Sequence, residues 1–142
     1  MIDSIITGIA TVLHQQFGYD VYKNKISQNL DPPCFYIKCI EPSSRKMIDK
    51  RYERRHLFDI HYFPSKDSED EKGECYQVGE KLFECLEVIH CDGFSIRGTS
   101  MNFDVKDDGV LHFFVNYNGF VHKVEQKGDP MEIMHETVNV EE

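Results

Sequence analysis

Tryptophan is absent from this chain of 142 residues, proline occurs five times and glycine nine times. So little glycine and proline excludes a collagen-like or low-complexity polymer. With 40% hydrophobic and 29% charged residues, disorder is excluded as well. No apolar run approaches the ~20 residues that cross a bilayer, so no membrane partner is expected. The amino-terminal stretch MIDSIITGIATVLHQQFG has an acid at Asp3 and no basic region before its apolar part, so it does not read as a secretory signal and the expectation is a cytoplasmic site of synthesis. Five cysteines, an odd number with no close pair, fit reduced thiols in small hydrophobic roles, and no disulfide is expected. One domain is what this length accommodates, burying roughly two-thirds of the surface of the unfolded chain.

Signatures of chemistry are missing too. Seven histidines and five cysteines invite a search for zinc ligands, but neither Cys-x-x-Cys nor His-Glu-x-x-His occurs. His56 and His61 are five apart in a strand and therefore face opposite sides of a sheet. His90 lies beside Cys91 without further ligands at zinc spacing. No G-x-S-x-G elbow is present; Ser43, Ser44, Ser65 and Ser100 lie in loop or strand contexts, and Cys34, Cys39, Cys75 and Cys85 fall at core periods, where a thiol is inert. Neither G-x-G-x-x-G nor G-x-x-x-x-G-K-[ST] occurs, so no nucleotide cofactor is expected. Asp104, Asp107 and Asp108 lie at a turn, where acids are common for conformational reasons. The expectation is a protein without enzymatic activity, cofactor or metal.

Charge is what the sequence does have, unevenly spread. Of sixteen basic residues, six fall in one stretch, Arg45, Lys46, Lys50, Arg51, Arg54 and Arg55, within a chain of formal charge -9. An acidic stretch follows, with Asp67, Glu69, Asp70, Glu71, Glu74, Glu80, Glu84 and Glu87, and the tail adds Glu132, Glu136, Glu141 and Glu142. A basic cluster can grip phosphates by releasing counterions. Tyr36, Tyr52, Phe58, Tyr62, Phe113, Phe114 and Tyr117 could stack bases beside it, although their alternation favours core filling. A basic and an acidic face can equally meet in neighbouring copies, and ordinary solvated surface accounts for such runs as well.

Along the chain, Ile2, Ile5, Ile6, Ile9, Val12, Leu13 and Phe17 recur at helical spacing, with Asp3 or Ser4 as cap and Gly18 as stop. A short extended piece, YDVYKN, and a polar connection lead to Asp31-Pro32-Pro33. CFYIKCIE alternates Phe35, Ile37 and Cys39 against Tyr36, Lys38 and Ile40. RYERRHLFDIHYF alternates Phe58, Ile60 and Tyr62 against Leu57, Asp59, His61 and Phe63. Both are strands, with EPSSRKMIDK as a long hairpin tip between them. Ser68 with Glu71 fits a capping box, and the following helix would bury Cys75, Val78, Leu82, Phe83, Leu86 and Ile89, with Gly73 and Gly79 each costing ~1 kcal/mol relative to alanine. FSIRGTSMNFDV and GVLHFFVNYNGFVHKV form two further strands around Asp107-Asp108-Gly109, with Leu111, Phe113, Val115 and Tyr117 pointing inward. QKGDPMEIMHETVNVEE has no apolar period and reads as an arm ordered by a partner. The order predicts an α+β fold, with an antiparallel sheet of two long hairpins and two helices packed on one face. Residues 1–125 form the domain and 126–142 an acidic C-terminal arm.

PCFYIKCIEPSSRKMIDKRYERRHLFDIHYFPS, ECYQVGEKLFECLEVI and IRGTSMNFDVKDDGVLHFFVNYNGFVHK, in that order, resemble the phage tail terminator (tail completion) family found in phages, prophages and phage-tail-like particles of Gram-positive bacteria. With the first helix the resemblance covers about residues 1 to 125. It implies a structural protein, usually a ring of six copies, that sits on the last ring of tail tube, stops tube polymerisation and offers a docking surface to the head or neck, or to the end of a sheath. It also implies a place at the tail-head junction of the virion, after assembly in the bacterial host cytoplasm. In a ring one surface meets a different one on the next copy. The basic hairpin (Arg45, Lys46, Lys50, Arg51, Arg54 and Arg55) is therefore expected to reach an adjacent subunit or the tube, and the acidic helix face (Glu69, Asp70, Glu71, Glu74, Glu80, Glu84 and Glu87) or the tail to receive it. Other readings are a head-tail connector or neck protein and, from a different class, a nucleic-acid-binding module using residues 45–55.

Overall fold

Helix α1 (Ile2–Phe17) buries the face carrying Ile5, Ile6, Ile9, Ala10 and Leu13, and stops at Gly18, whose φ of 73° only glycine adopts without strain. Its cap differs from expectation: the helix begins one residue before Asp3, at Ile2, so neither Asp3 nor Ser4 caps it, and Met1 holds the cap position without a side-chain bond. The computed structural model describes residues 1–23, 30–124 and 135–139. Strands β1 (Asp20–Tyr22), β2 (Cys34–Lys46) and β3 (Arg51–Phe63) follow, then helix α2 (Glu71–Cys85), and strands β4 (Val88–Cys91), β5 (Phe94–Val105), β6 (Leu111–Val124) and β7 (His135–Asn139).

The sheet runs in the order β1-β2-β3-β6-β5-β4, with β7 paired to β6. All pairings are antiparallel except β1 with β2. The α+β architecture with two long hairpins is thus present, and the hairpins are joined side by side through the long β3–β6 pairing. On the covered face, Phe35, Ile37, Phe58, Ile60, Tyr62, Leu111, Phe113, Val115 and Tyr117 form one core with α1 and with Cys75, Val78 and Leu82 of α2. The inward set read from alternation on β6 is buried throughout.

Three elements depart from the sequence reading. Helix α2 is capped by Asp70, which accepts from Gly73 N at 3.0 Å, rather than by Ser68. It ends at Cys85; Leu86 and Ile89 are buried as expected, but Ile89 belongs to β4, turned through Asp92-Gly93 into β5. The hairpin tip is shorter than expected, because β2 continues to Lys46. Within the expected arm, His135–Asn139 pair with Phe120–Val124, so the chain's own β6 is the partner of this stretch. The rest of the arm and positions 24–29 lie outside the described residues.

Two β-bulges bend the sheet at one level. In β2 the register slips between Ile40↔Leu57 and Ser43↔Arg55, with Glu41 at φ 44°; in β5 it slips between Thr99↔Asn116 and Asn102↔Phe114, with Ser100 at φ 54°. Leu57 and Asn116 are themselves paired, so the extra residues on both flanking strands increase twist at the same place. On one side of this bend the helices cover the sheet. On the other, Ser43–Lys46 of β2 are exposed beside Arg51–Arg55 of β3, the end of β6 and β7.

Candidate functional site

The basic residues belong to this extension of the sheet and are not a free loop. Pairing alternates them between faces: Arg45 lies opposite Glu53 and shares its face with Arg51 and Arg55, while Lys46, opposite Tyr52, shares the other face with Arg54. Lys50 sits in the turn at φ 60°. Arg55 Nε donates to Glu53 Oε1 at 2.6 Å, an exposed pair worth at most ~1 kcal/mol. The Arg51 guanidinium lies 5.7 Å from the Phe120 ring centre. At the tip Ile48 is 82% exposed, the most exposed large hydrophobic side chain among the described residues. A β-branched apolar group held out on a basic extension is unfavourable in water and suits an anchor in a partner's pocket.

The acidic set is less uniform than its sequence suggests. Glu69, Asp70, Glu71, Glu80, Glu84 and Glu87 are exposed; Glu80 and Glu84 share a helix face, whereas Glu69 and Asp70 precede α2 and Glu87 lies past its end at Cys85. Glu74 is committed inward: its Oε2 accepts from Tyr62 Oη at 2.7 Å and from Ser65 N at 2.9 Å. Burial and this carboxylate push the Tyr62 hydroxyl far above its ordinary range, so it stays a donor. Asp70 spends one oxygen on the helix cap. These contacts fix the beginning of α2 at the Tyr62 end of β3. The basic turn adjoins Arg51 at the opposite end, roughly 36 Å away at ~3.3 Å per residue.

On the sheet face away from the helices the structure assembles a group that spacing arguments missed. Tyr36, His61, His112 and Asp104 stand in register across β2, β3, β6 and β5. His61 Nε2 lies 3.0 Å and His112 Nδ1 3.1 Å from the same oxygen, Asp59 Oδ2. Since a carboxylate oxygen only accepts, each of these ring nitrogens carries a proton. The two rings are 4.1 Å apart, centre to centre. Burial pushes the Asp59 carboxyl up, yet the hydrogen bonds and charge of His61 and His112 outweigh it, and the group lies below its usual range. Its Oδ1 is buried with no hydrogen-bond partner. Asp59, His61 and His112 are three metal-ligand side chains whose ligand atoms fall within 4.8 Å of one another, so they are the group among the described residues that could hold a cation. The Asp-x-His pattern of β3 signals one shared face. His112 joins only through the β3–β6 register, which no local spacing reveals.

His56, as the alternation requires, faces the opposite side, buried against the Tyr117 carbonyl at 2.9 Å. Cys34 and Cys75 lie in the core, and burial pushes the thiols of Cys34, Cys75, Cys85 and Cys91 up to about 11, which suppresses the thiolate a nucleophile needs. Asp104 is exposed and paired with Lys106 at 3.0 Å. No helix among the described residues is long and apolar enough to cross a membrane.

No curated protein matches the chain. A family model described as phage tail terminator protein matches residues 4–129, a span that takes in both helices, the central sheet and the basic extension. The chain therefore belongs to the phage tail terminator protein family, and its role is a structural one in a phage tail.

Proposed function

We propose that this chain closes a tail by assembling as a homo-oligomeric ring, of six copies as the family resemblance implies, on the last ring of tail tube. There it stops polymerisation and presents a surface to the head or neck, or to the end of a sheath. The observation that carries this reading is the polarity of the molecule. The basic extension with Ile48 at its tip and the acidic start of α2 lie at opposite ends of β3, roughly 36 Å apart, several times the ~8 Å Debye length at physiological salt. Such distant charges do little for each other within one chain, which supports a head-to-tail contact in which they meet on neighbouring copies. The net charge of -9 fits a channel wall past which DNA moves without sticking. The role is mechanical, and the particle end is where it is exercised.

The test is charge reversal at the tip. Lys46→Glu with Lys50→Glu is a cleaner pair than changes at Arg55, whose reversal would also repel Glu53. Sedimentation velocity and co-sedimentation with purified tail tubes, at low and physiological salt, are expected to show loss of rings or of tube binding while the fold persists. Intact assembly of the double variant would remove the hairpin from the interface. A wild-type chain that stays monomeric and ignores tubes at every concentration would remove the ring itself. Tight DNA binding that weakens steeply with salt would favour the nucleic-acid module instead.

A further inference from the structure

We propose that Asp59, His61 and His112 form a binding site for a divalent transition metal of the zinc class, on the sheet face opposite the helices. Three geometric facts carry this. Asp59 Oδ2 already gathers His61 Nε2 and His112 Nδ1 at 3.0 and 3.1 Å. Ligand atoms in a tetrahedral zinc shell with bonds of about 2.0–2.1 Å stand roughly 3.3 Å apart, so these two separations need to widen by only a few tenths of an ångström, and all three ligand atoms already lie within 4.8 Å of one another. The three side chains come from the two central strands, β3 and β6, which are held in register over their whole pairing, so the site is built on rigid backbone. Asp59 is 7% exposed and carries a buried oxygen, Oδ1, without a partner; a dication would answer the charge of this buried carboxylate.

The donor set chooses the metal. Two imidazoles and one carboxylate suit zinc, cobalt or nickel, whereas magnesium and calcium prefer all-oxygen shells. On binding, each ligating nitrogen gives up its proton, either to the other nitrogen of the same ring or to solvent, and no electron changes hands. His61 and His112 retain 15% and 18% side-chain exposure, which leaves a path for the ion and room for water to complete the shell. Tyr36, Phe63 and Phe114 stand around the rings, with centres 5.4, 6.3 and 6.5 Å from their histidine neighbours. The metal would pin β3 to β6 just above the bend from which the basic extension departs.

Titration of the full chain with Co²⁺, then displacement by Zn²⁺, tests this. Expected are one ion per chain at micromolar or lower concentration and visible d–d absorption without thiolate charge transfer, since no sulfur is in the set. The His61→Asn, His112→Asn double variant, folded by circular dichroism, is expected to lose affinity beyond the roughly 10–100-fold that a mere supporting hydrogen bond contributes. His112→Cys is expected to keep one ion and to gain a near-ultraviolet thiolate band, a positive readout that does not depend on a weakened variant. Absence of binding to the wild type, thiolate bands in the wild type, or unchanged affinity in the double variant would each overturn the site.

Discussion

The imidazole of His56 is 2% exposed and bonded through Nδ1 to the Tyr117 carbonyl, so that nitrogen carries the proton and the ring sits neutral in the core. Burial holds its pKa below the ordinary value, ahead of the opposing effect of the carbonyl bond. The sign follows from linkage. The unfolded chain takes up a proton near pH 6.5 that the folded chain refuses, so the stability this residue contributes is complete above about 6.5 and declines as pH falls below it. Urea melts between pH 7.5 and 5 are expected to show that decline. In His56→Gln the decline is expected to flatten, at a cost of about 1–3 kcal/mol near neutrality for disturbing a buried hydrogen bond. An unchanged slope would mean that another group sets the acid limit. The thiols give a second check at this scale. Cys34 and Cys75 are fully buried with thiols pushed up to about 11. Iodoacetamide at pH 8 is expected to spare both in the native protein and to label both in urea; native labelling would show that the core opens locally.

Among the elements, α2 crosses the sheet where Gly79 meets Phe103: a Cβ at this glycine would stand 2.7 Å from the ring. Propensity alone favours alanine there by ~1 kcal/mol, but the ring is packed on Phe83 and Phe113 and has to shift. Gly79→Ala is therefore expected to destabilise by about 1–2 kcal/mol in denaturant melts, and a stabilised variant would contradict the close packing. For the β2–β3 hairpin, Ile48→Asp is expected to leave monomer stability within about 0.5 kcal/mol while weakening ring or tube contacts about tenfold or more. Equal affinity would make Ile48 a bystander.

Much of this element level was legible in sequence, because period-two and period-3.6 burial are local. Phe58, Ile60 and Tyr62 on β3, and Leu111 to Tyr117 on β6, followed from alternation alone. What escaped was of two kinds. Ile89 continued the apolar stripe of α2, so the break at Leu86 and the start of β4 were hidden by a coincidence of phase. The bulges after Ile40 and Thr99, the pairing of β7, and the meeting of Asp59 and His61 with His112 depend on register between strands distant in the chain, where spacing carries no signal.

At the scale of the whole molecule, two bulges at one level divide the sheet into a helix-covered half and an extension that carries the basic residues of the β2–β3 hairpin. Family membership places this architecture in a phage tail. In the ring proposed above, each copy's basic end would meet a neighbour's acidic end. The most direct measurement is electron microscopy of purified tail tubes growing from their subunits with and without this chain. Expected are tubes of arrested length, each carrying one ring of the protein at the growing end. Tubes that elongate at the same rate with bare ends, in the presence of folded protein, would contradict the proposed role.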